Sequence, residues 1–223
     1  MGDAIGQMLP AAVGVALSPL TIVAVVLMLV SPRGRTNGPA FVLGWVVGLA
    51  AIGVIVLGIA GGAGASEDGS PKTGVSVLKL VIGALLLLAA AREWRGRPRD
   101  PSEVKTPKWM QALDTFTPVK AAGAGALLSA VNPKNTLLAV AGAAAIAGTG
   151  IDGGQQAIAY AIFVLIATVG VGAPVVVAFA MGDRSRKLLD ELKHWMSANN
   201  AVIMAVLLLV LGVKLIGDGI SGL

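Results

Sequence analysis

The chain has 223 residues, 56% hydrophobic and 13% charged, with a mean hydropathy of +0.83; soluble domains carry about a quarter charged residues, so this balance excludes that class. Cysteine is absent, which removes disulfide frameworks, thiolate metal sites and thiol relays. A net charge of +5 would suit nucleic acid, but the basic residues fall in a pattern that assigns them to membrane topology and anionic headgroups, and no nucleic-acid partner is expected.

Six segments are long enough to cross a hydrocarbon core of about 30 Å, which takes roughly 20 helical residues. The first covers residues 4–30. It carries Asp3 in place of a basic start and exceeds the apolar part of a signal peptide, so it reads as a retained helix. Ser18-Pro19 interrupts it. Proline lacks the N–H that a helix interior needs but suits the first helical position, with Ser or Asn as the cap before it. The segment therefore reads as two half-helices. Residues 38–62 and 74–91 form the second and third segments. Gly44 and Gly48, or Gly58 and Gly62, recur at a spacing that lets helix backbones approach, within one bundle or at a homodimer seam.

Residues 93–120, rich in Arg, Pro and Asp, form a linker. After Thr106-Pro107, Trp109, Met110, Leu113 and Phe116 recur at helical spacing until Pro118, as in an amphipathic helix on a membrane surface. The fourth segment, residues 121–147, qualifies only with Lys134 inside the membrane, and Asn132-Pro133 breaks it as Ser18-Pro19 breaks the first. Residues 155–182 and 199–216 complete the set. Ahead of the sixth segment, Leu188, Leu189, Leu192, Trp195 and Met196 form one helical face and Arg186, Lys187, Asp190, Glu191 and Lys193 the other, a second interfacial helix. Such helices brace a bundle or serve as a lipid entry ramp. Lys79 and Lys214 lie near helix ends and are placed to snorkel, Lys214 also beside Asp218.

Setting Pro19 on Pro133 aligns residues 16–21 with residues 130–135. Glycines recur in the second helix of each half (Gly44, Gly48; Gly170, Gly172) and in the third (Gly83; Gly212). Three helices per half is an odd number, so the second copy enters the membrane from the opposite face, the inverted-repeat plan of many secondary transporters. The expected fold is an all-α membrane protein of six transmembrane helices in two inverted three-helix repeats, helices one and four broken at Pro. Residues 1–92 form the first repeat, 93–120 a cytoplasmic linker with an amphipathic helix, and 121–223 the second repeat, all in one membrane domain. Thirteen basic residues, from Arg33 to Lys193, fall in the loops after helices one, three and five, against Lys72 alone on the other side. The positive-inside rule then gives a multi-pass protein of the cytoplasmic (inner) membrane with both termini outside.

Each break near mid-membrane would aim a half-helix N-terminus, with its partial positive charge and unpaired N–H groups, into the space between the repeats. Lys134 adds a full charge there, costing about 2.5–3.5 kcal/mol on insertion scales, and every Asp and Glu lies at a helix end or in a loop. An anionic guest suits such a place. The substrate-binding residues expected are Ser18, Pro19, Thr21, Ser129, Asn132, Pro133, Lys134, Asn135 and Thr136. The competing role for Lys134 is to donate to carbonyls freed at the breaks and hold the halves together. No catalytic arrangement, metal-ligand spacing or cofactor motif is present, and the lone His194 sits in a loop, so neither an enzyme nor a cofactor is expected.

With Ser18-Pro19, Asn132-Pro133-Lys134, the three-plus-three plan and the length, the chain resembles the lysine exporter superfamily. Its Ala/Gly/Val-rich helices and long basic central loop are most similar to the GAP branch, the glycopeptidolipid- and sulfolipid-addressing proteins of mycobacteria and their relatives. That resemblance implies a cytoplasmic-membrane protein that helps move cell-envelope lipids outward, with the paired breaks as the transport site. The amino-acid exporters of the superfamily carry a fuller Pro-Gly-Pro pattern than Ser18-Pro19, and its metal exporters and disulfide relays use intramembrane acids, His or paired Cys that this chain lacks.

The leading expectation is an exporter or flippase for an anionic amphipathic lipid or glycolipid, with membrane lipids as partners. Export of a small amino acid or organic anion is a second reading. A non-transporting scaffold for envelope-lipid synthesis or export proteins, docking through residues 92–120, is a third.

Overall fold

The computed structural model describes residues 1–62, 73–97 and 115–222, and these contain α-helices and no strand. In chain order the helices are α1 (Gly2–Ala16), α2 (Pro19–Val30), α3 (Gly34–Gly62), α4 (Thr73–Arg95), α5 (Pro118–Ala130), α6 (Pro133–Ala147), α7 (Gly153–Met181) and α8 (Ser185–Ile220). A 3-10 turn, Gly182–Arg184, precedes α8. By length and apolar composition α3, α7 and α8 qualify as membrane crossings, and α1 with α2, bent by 51° at their break, counts as a fourth. Around the bundle Leu43, Val54, Ile59, Leu88, Leu165 and Val176 are each more than 60% exposed. An apolar outer surface of that kind fits hydrocarbon as the solvent, because water-soluble monomers keep such patches small.

Both expected breaks are present, and each begins a helix with proline at its first position. Pro10, Pro39 and Pro174 instead stay inside α1, α3 and α7. Leu9, Gly38 and Ala173 precede them, none with a side chain able to cap a new start.

Two elements differ from expectation. The surface helix foreseen ahead of the sixth segment and that segment itself are one continuous helix, α8. Asn199 and Asn200 look polar enough for a boundary, yet no Gly or Pro interrupts residues 185–211 and nothing forces the backbone out of helix. Leu189 and Met196 are buried, while Leu188 and Trp195 face outward, so the apolar face is shared between protein and surroundings. Lys79 is 8% exposed rather than snorkelled. Its neighbours Ser76 and Gly83 are packed against α8. Lys214 does pair with Asp218. Trp109, Met110 and Leu113 of the other amphipathic segment lie outside the described residues; Thr117 caps α5 and Pro118 opens it.

The core is assembled by close helix pairs. α3 lies along α5, α1 along α7 and α6, and α4 along α8. A Cβ on Gly44 would overlap the carbonyl of Ala122, and one on Gly170 the carbonyl of Ala16, so only glycine permits those two approaches. Phe41, Trp45, Leu49, Leu138 and Phe163 fill the interior. Tyr160, stacked on Phe163 at 5.1 Å, donates its hydroxyl to the Leu49 carbonyl at 2.9 Å and ties α7 to α3.

Candidate functional site

The two breaks meet. Proline 19 cannot donate to Val15, and the chain turns before it: the Ser18 amide reaches only back to Ala16, at 3.0 Å, and the Thr21 amide to Ser18, at 3.0 Å. The carbonyls of Gly14 and Leu17, which a continuous helix would pair with the Ser18 and Thr21 amides, are thereby freed. Lys134 takes both. Its Nζ donates to Gly14 O at 2.8 Å and to Leu17 O at 3.2 Å, across from the other half of the chain.

The second break is repaired from its own side. Asn132 accepts from the Lys134 amide at 3.1 Å and so caps α6 as expected. That leaves Ala130 O without its helical donor, and Thr136 Oγ1 donates to it at 2.7 Å. Asn135 Nδ2 donates to Leu128 O at 2.9 Å. Ser129 Oγ donates to Ala126 O at 3.0 Å, inside its own helix. Ser18 holds the capping position of α2 but its side chain does not cap. It accepts from Thr21 Oγ1 at 3.0 Å and donates to Asn135 Oδ1 at 3.4 Å, a weak bond at that length.

Ser18, Thr21, Ser129, Lys134 and Asn135 are each at most 9% exposed. Pro19 is buried with them, while Asn132 and Thr136 are half-buried and Pro133 is exposed at the start of α6. Thus Ser18, Thr21 and Asn135 are hydrogen-bonded to one another, and Lys134, next to Asn135 in the chain, bonds the Gly14 and Leu17 carbonyls instead, with Asn132 capping its helix and Ser129 turned to its own helix. Among the described residues no carboxylate pairs with Lys134, whose charge is solvated by two neutral carbonyl oxygens. Two of the three ammonium donors are used.

A cavity of about 730 Å³ opens elsewhere, between the end of α2, the start of α3, the end of α7 and the start of α8. Leu29, Val30, Ala178, Phe179 and Leu189 give it apolar walls, and Arg35 and Arg186 stand at its lining. Sequence reasoning did not find it. Its residues come from two stretches, 29–35 and 178–189, and the only signal available was that both are basic turns on one expected side of the membrane.

An all-helical bundle with an apolar outer surface, and two proline-broken helices crossing at their breaks, defines a polytopic membrane protein with a polar centre. The match to known proteins is more particular. The profile of the family described as Sap, sulfolipid-1-addressing protein, matches residues 8–221, so the chain belongs to that family, in agreement with the resemblance to the sulfolipid-addressing branch read from its length, Ala/Gly/Val-rich helices and basic central loop. No curated protein and no solved structure matches it.

Proposed function

We propose that this protein is a transporter that exports or flips an anionic amphipathic lipid or glycolipid across the cytoplasmic membrane, with the crossing of the two breaks as its polar centre. The family name, which refers to a sulfolipid, supports a lipid cargo. One observation carries the reading: Lys134 is buried where the halves cross and holds neutral carbonyls in place of a counter-ion. Carbonyl dipoles lower the cost of the buried charge without cancelling it. An anionic headgroup entering the crossing gains more from Lys134 than the carbonyls do, and it also meets the partial positive charge at the starts of α2 and α6.

The architecture for such movement is six crossings in two inverted repeats, α1–α4 and α5–α8. Its support is a packing pattern of which several contacts recur when the halves are exchanged, although the α1–α6 contact that carries Lys134 has no comparable counterpart between α5 and α2. The contact of α1 with α7 then corresponds to that of α5 with α3, α2 with α8 to α6 with α4, and α2 with α7 to α6 with α3. Gly83 and Gly212, equivalent in the two halves, face one another across α4 and α8. In this arrangement Lys134 and the Gly14 and Leu17 carbonyls form a latch between repeats. The latch opens when the halves rock apart and an anion replaces the carbonyls.

The test is transbilayer movement of a fluorescent phosphatidylglycerol in proteoliposomes, read by dithionite quenching. Lys134→Met, reconstituted at the parent's level, is expected to slow it by about tenfold, the equivalent of about 1.4 kcal/mol. Lys134→Arg is expected to keep part of the rate, since its charge and several donors remain. Parental movement in Lys134→Met sinks the reading. Movement of a water-soluble anion with no lipid dependence would point to the small-molecule exporter, and loss of envelope-lipid export only on deleting residues 98–114 would point to the scaffold.

A further inference from the structure

We infer that the cavity between α2, α3, α7 and α8 is a docking site for a single anionic lipid, its headgroup held by Arg35 and Arg186 and its acyl chain leaving between α2 and α7. The inference rests on the transporter reading for its purpose, but the site stands on its own geometry.

The cavity is lined by side chains of two kinds, cationic and apolar. Residues 31–36 and 182–187 carry Arg33, Arg35, Arg184, Arg186 and Lys187 against the one acid Asp183, and Arg35 and Arg186 reach the cavity lining itself. Two helices also begin at the cavity lining, α3 at Gly34 and α8 at Ser185, so their partial positive charges add to those of the arginines. Leu29, Val30, Ala178, Phe179 and Leu189 supply the apolar lining. Val30 and Phe179, at 43% and 56% exposure, continue from the cavity onto the outer surface that faces acyl chains. Arginines in the lining and apolar side chains that continue to the outer surface match a headgroup with a chain attached, and neither a soluble anion nor an uncharged lipid uses both. A volume of about 730 Å³ holds a headgroup and the upper part of one chain. Arginine suits phosphate and sulfate alike, through its planar fork of donors. The turns at residues 31–33 and 182–184 belong to the loops that the positive-inside rule assigns to the cytoplasm, so lipid would load here from the inner leaflet before reaching Lys134.

Because the chain has no cysteine, one introduced thiol reports on the cavity. Ser31→Cys and, independently, Ala178→Cys line it and are labelled by a maleimide in the purified full-length protein. Oleoyl lysophosphatidic acid is expected to slow labelling at both positions by about tenfold at saturation, whereas monooleoylglycerol and inorganic phosphate leave the rate unchanged. Adding Arg35→Gln and Arg186→Gln is expected to raise the concentration of lysophosphatidic acid needed by about tenfold or more, the scale of charge-assisted hydrogen bonds lost. Equal protection by monooleoylglycerol, protection by inorganic phosphate alone, or undiminished protection in the arginine variants overturns the site. The measurement is made at equilibrium and needs no transbilayer movement. A protein that passes here and fails in proteoliposomes loses the transport reading and keeps the docking site; the opposite result loses the docking site alone.

Discussion

At the scale of single residues, the crossing is an exchange of hydrogen bonds that the prolines make necessary. Each proline removes one amide and bends the chain so that further carbonyls lose their helical donors. In the first half the Gly14 and Leu17 carbonyls are left, and Lys134 from the other half takes them; in the second half Thr136 and Asn135 serve Ala130 and Leu128. A buried carbonyl without a donor costs about 1–3 kcal/mol, while hydrogen bonds between membrane helices average only about 0.6 kcal/mol because the unfolded chain finds other partners. Lys134→Met is therefore expected to destabilise the protein by about 1–3 kcal/mol in a denaturation titration with sodium dodecyl sulfate. Asn135→Leu should cost a similar amount by stranding Leu128 O and the Ser18 hydroxyl. Ser18→Ala breaks only a 3.4 Å bond to Asn135 and the acceptor of Thr21, so its cost should fall below about 1 kcal/mol. Val131→Ala, at an exposed position beside the break, should change stability by no more than about 0.5 kcal/mol. If all four variants unfold at the same detergent fraction, the crossing contributes nothing to stability.

Between elements, the contacts that set the bundle are backbone to backbone, and they make a sharp contrast among glycines. Gly44→Ala places a methyl on the Ala122 carbonyl and must drive α3 from α5, with an expected loss of about 2 kcal/mol or more in the same titration. Gly58→Ala, also in α3, meets nothing within 4 Å, and the helix propensity of alanine should make it neutral or stabilising by up to about 1 kcal/mol. This scale also marks where the sequence was readable. The breaks were legible because their signal is local, a short polar residue followed by proline, although only Asn132 of the two caps with its side chain, and the comparison with Pro10, Pro39 and Pro174 shows that proline alone is not sufficient. The gathering of Ser18, Lys134 and Asn135 followed from the inverted-repeat alignment, but their partners did not, since Gly14 O and Leu17 O become available to Lys134 only after α6 has docked on α1. The continuity of α8 was hidden by Asn199 and Asn200. Propensity alone does not end a helix there, and α8, about 54 Å long at 1.5 Å per residue, outruns any single apolar stretch.

For the whole molecule, the distribution of charge and the partly shared packing of the two halves support the proposed orientation. In the proposed six-span arrangement four crossings, an even number, separate the turns at residues 31–33 and 182–184, so both fall on one face. The same face receives Arg92, Arg95 and Arg97 at the end of α4, whereas the turn at residues 148–152 between α6 and α7 carries only the acid Asp152. A membrane with anionic lipids and an inside-negative potential favours the basic face in the cytoplasm by about 1 kcal/mol per cation near the surface. Single cysteines in the cysteine-free chain then have definite accessibilities. Ser31→Cys and Arg97→Cys should react with a membrane-impermeant maleimide only in inside-out vesicles, and Gly2→Cys and Thr149→Cys only in intact spheroplasts. Labelling of Ser31→Cys and Thr149→Cys from the same side would mean an odd number of crossings does not separate them as six spans require. The inverted relation between the halves would then be lost, and with it the rocking motion that lets Lys134 exchange carbonyls for cargo, whatever the export assay reports. Opposite sides but reversed polarity would keep the repeats and move the arginine-lined cavity to the outer face, where lipid leaves rather than loads.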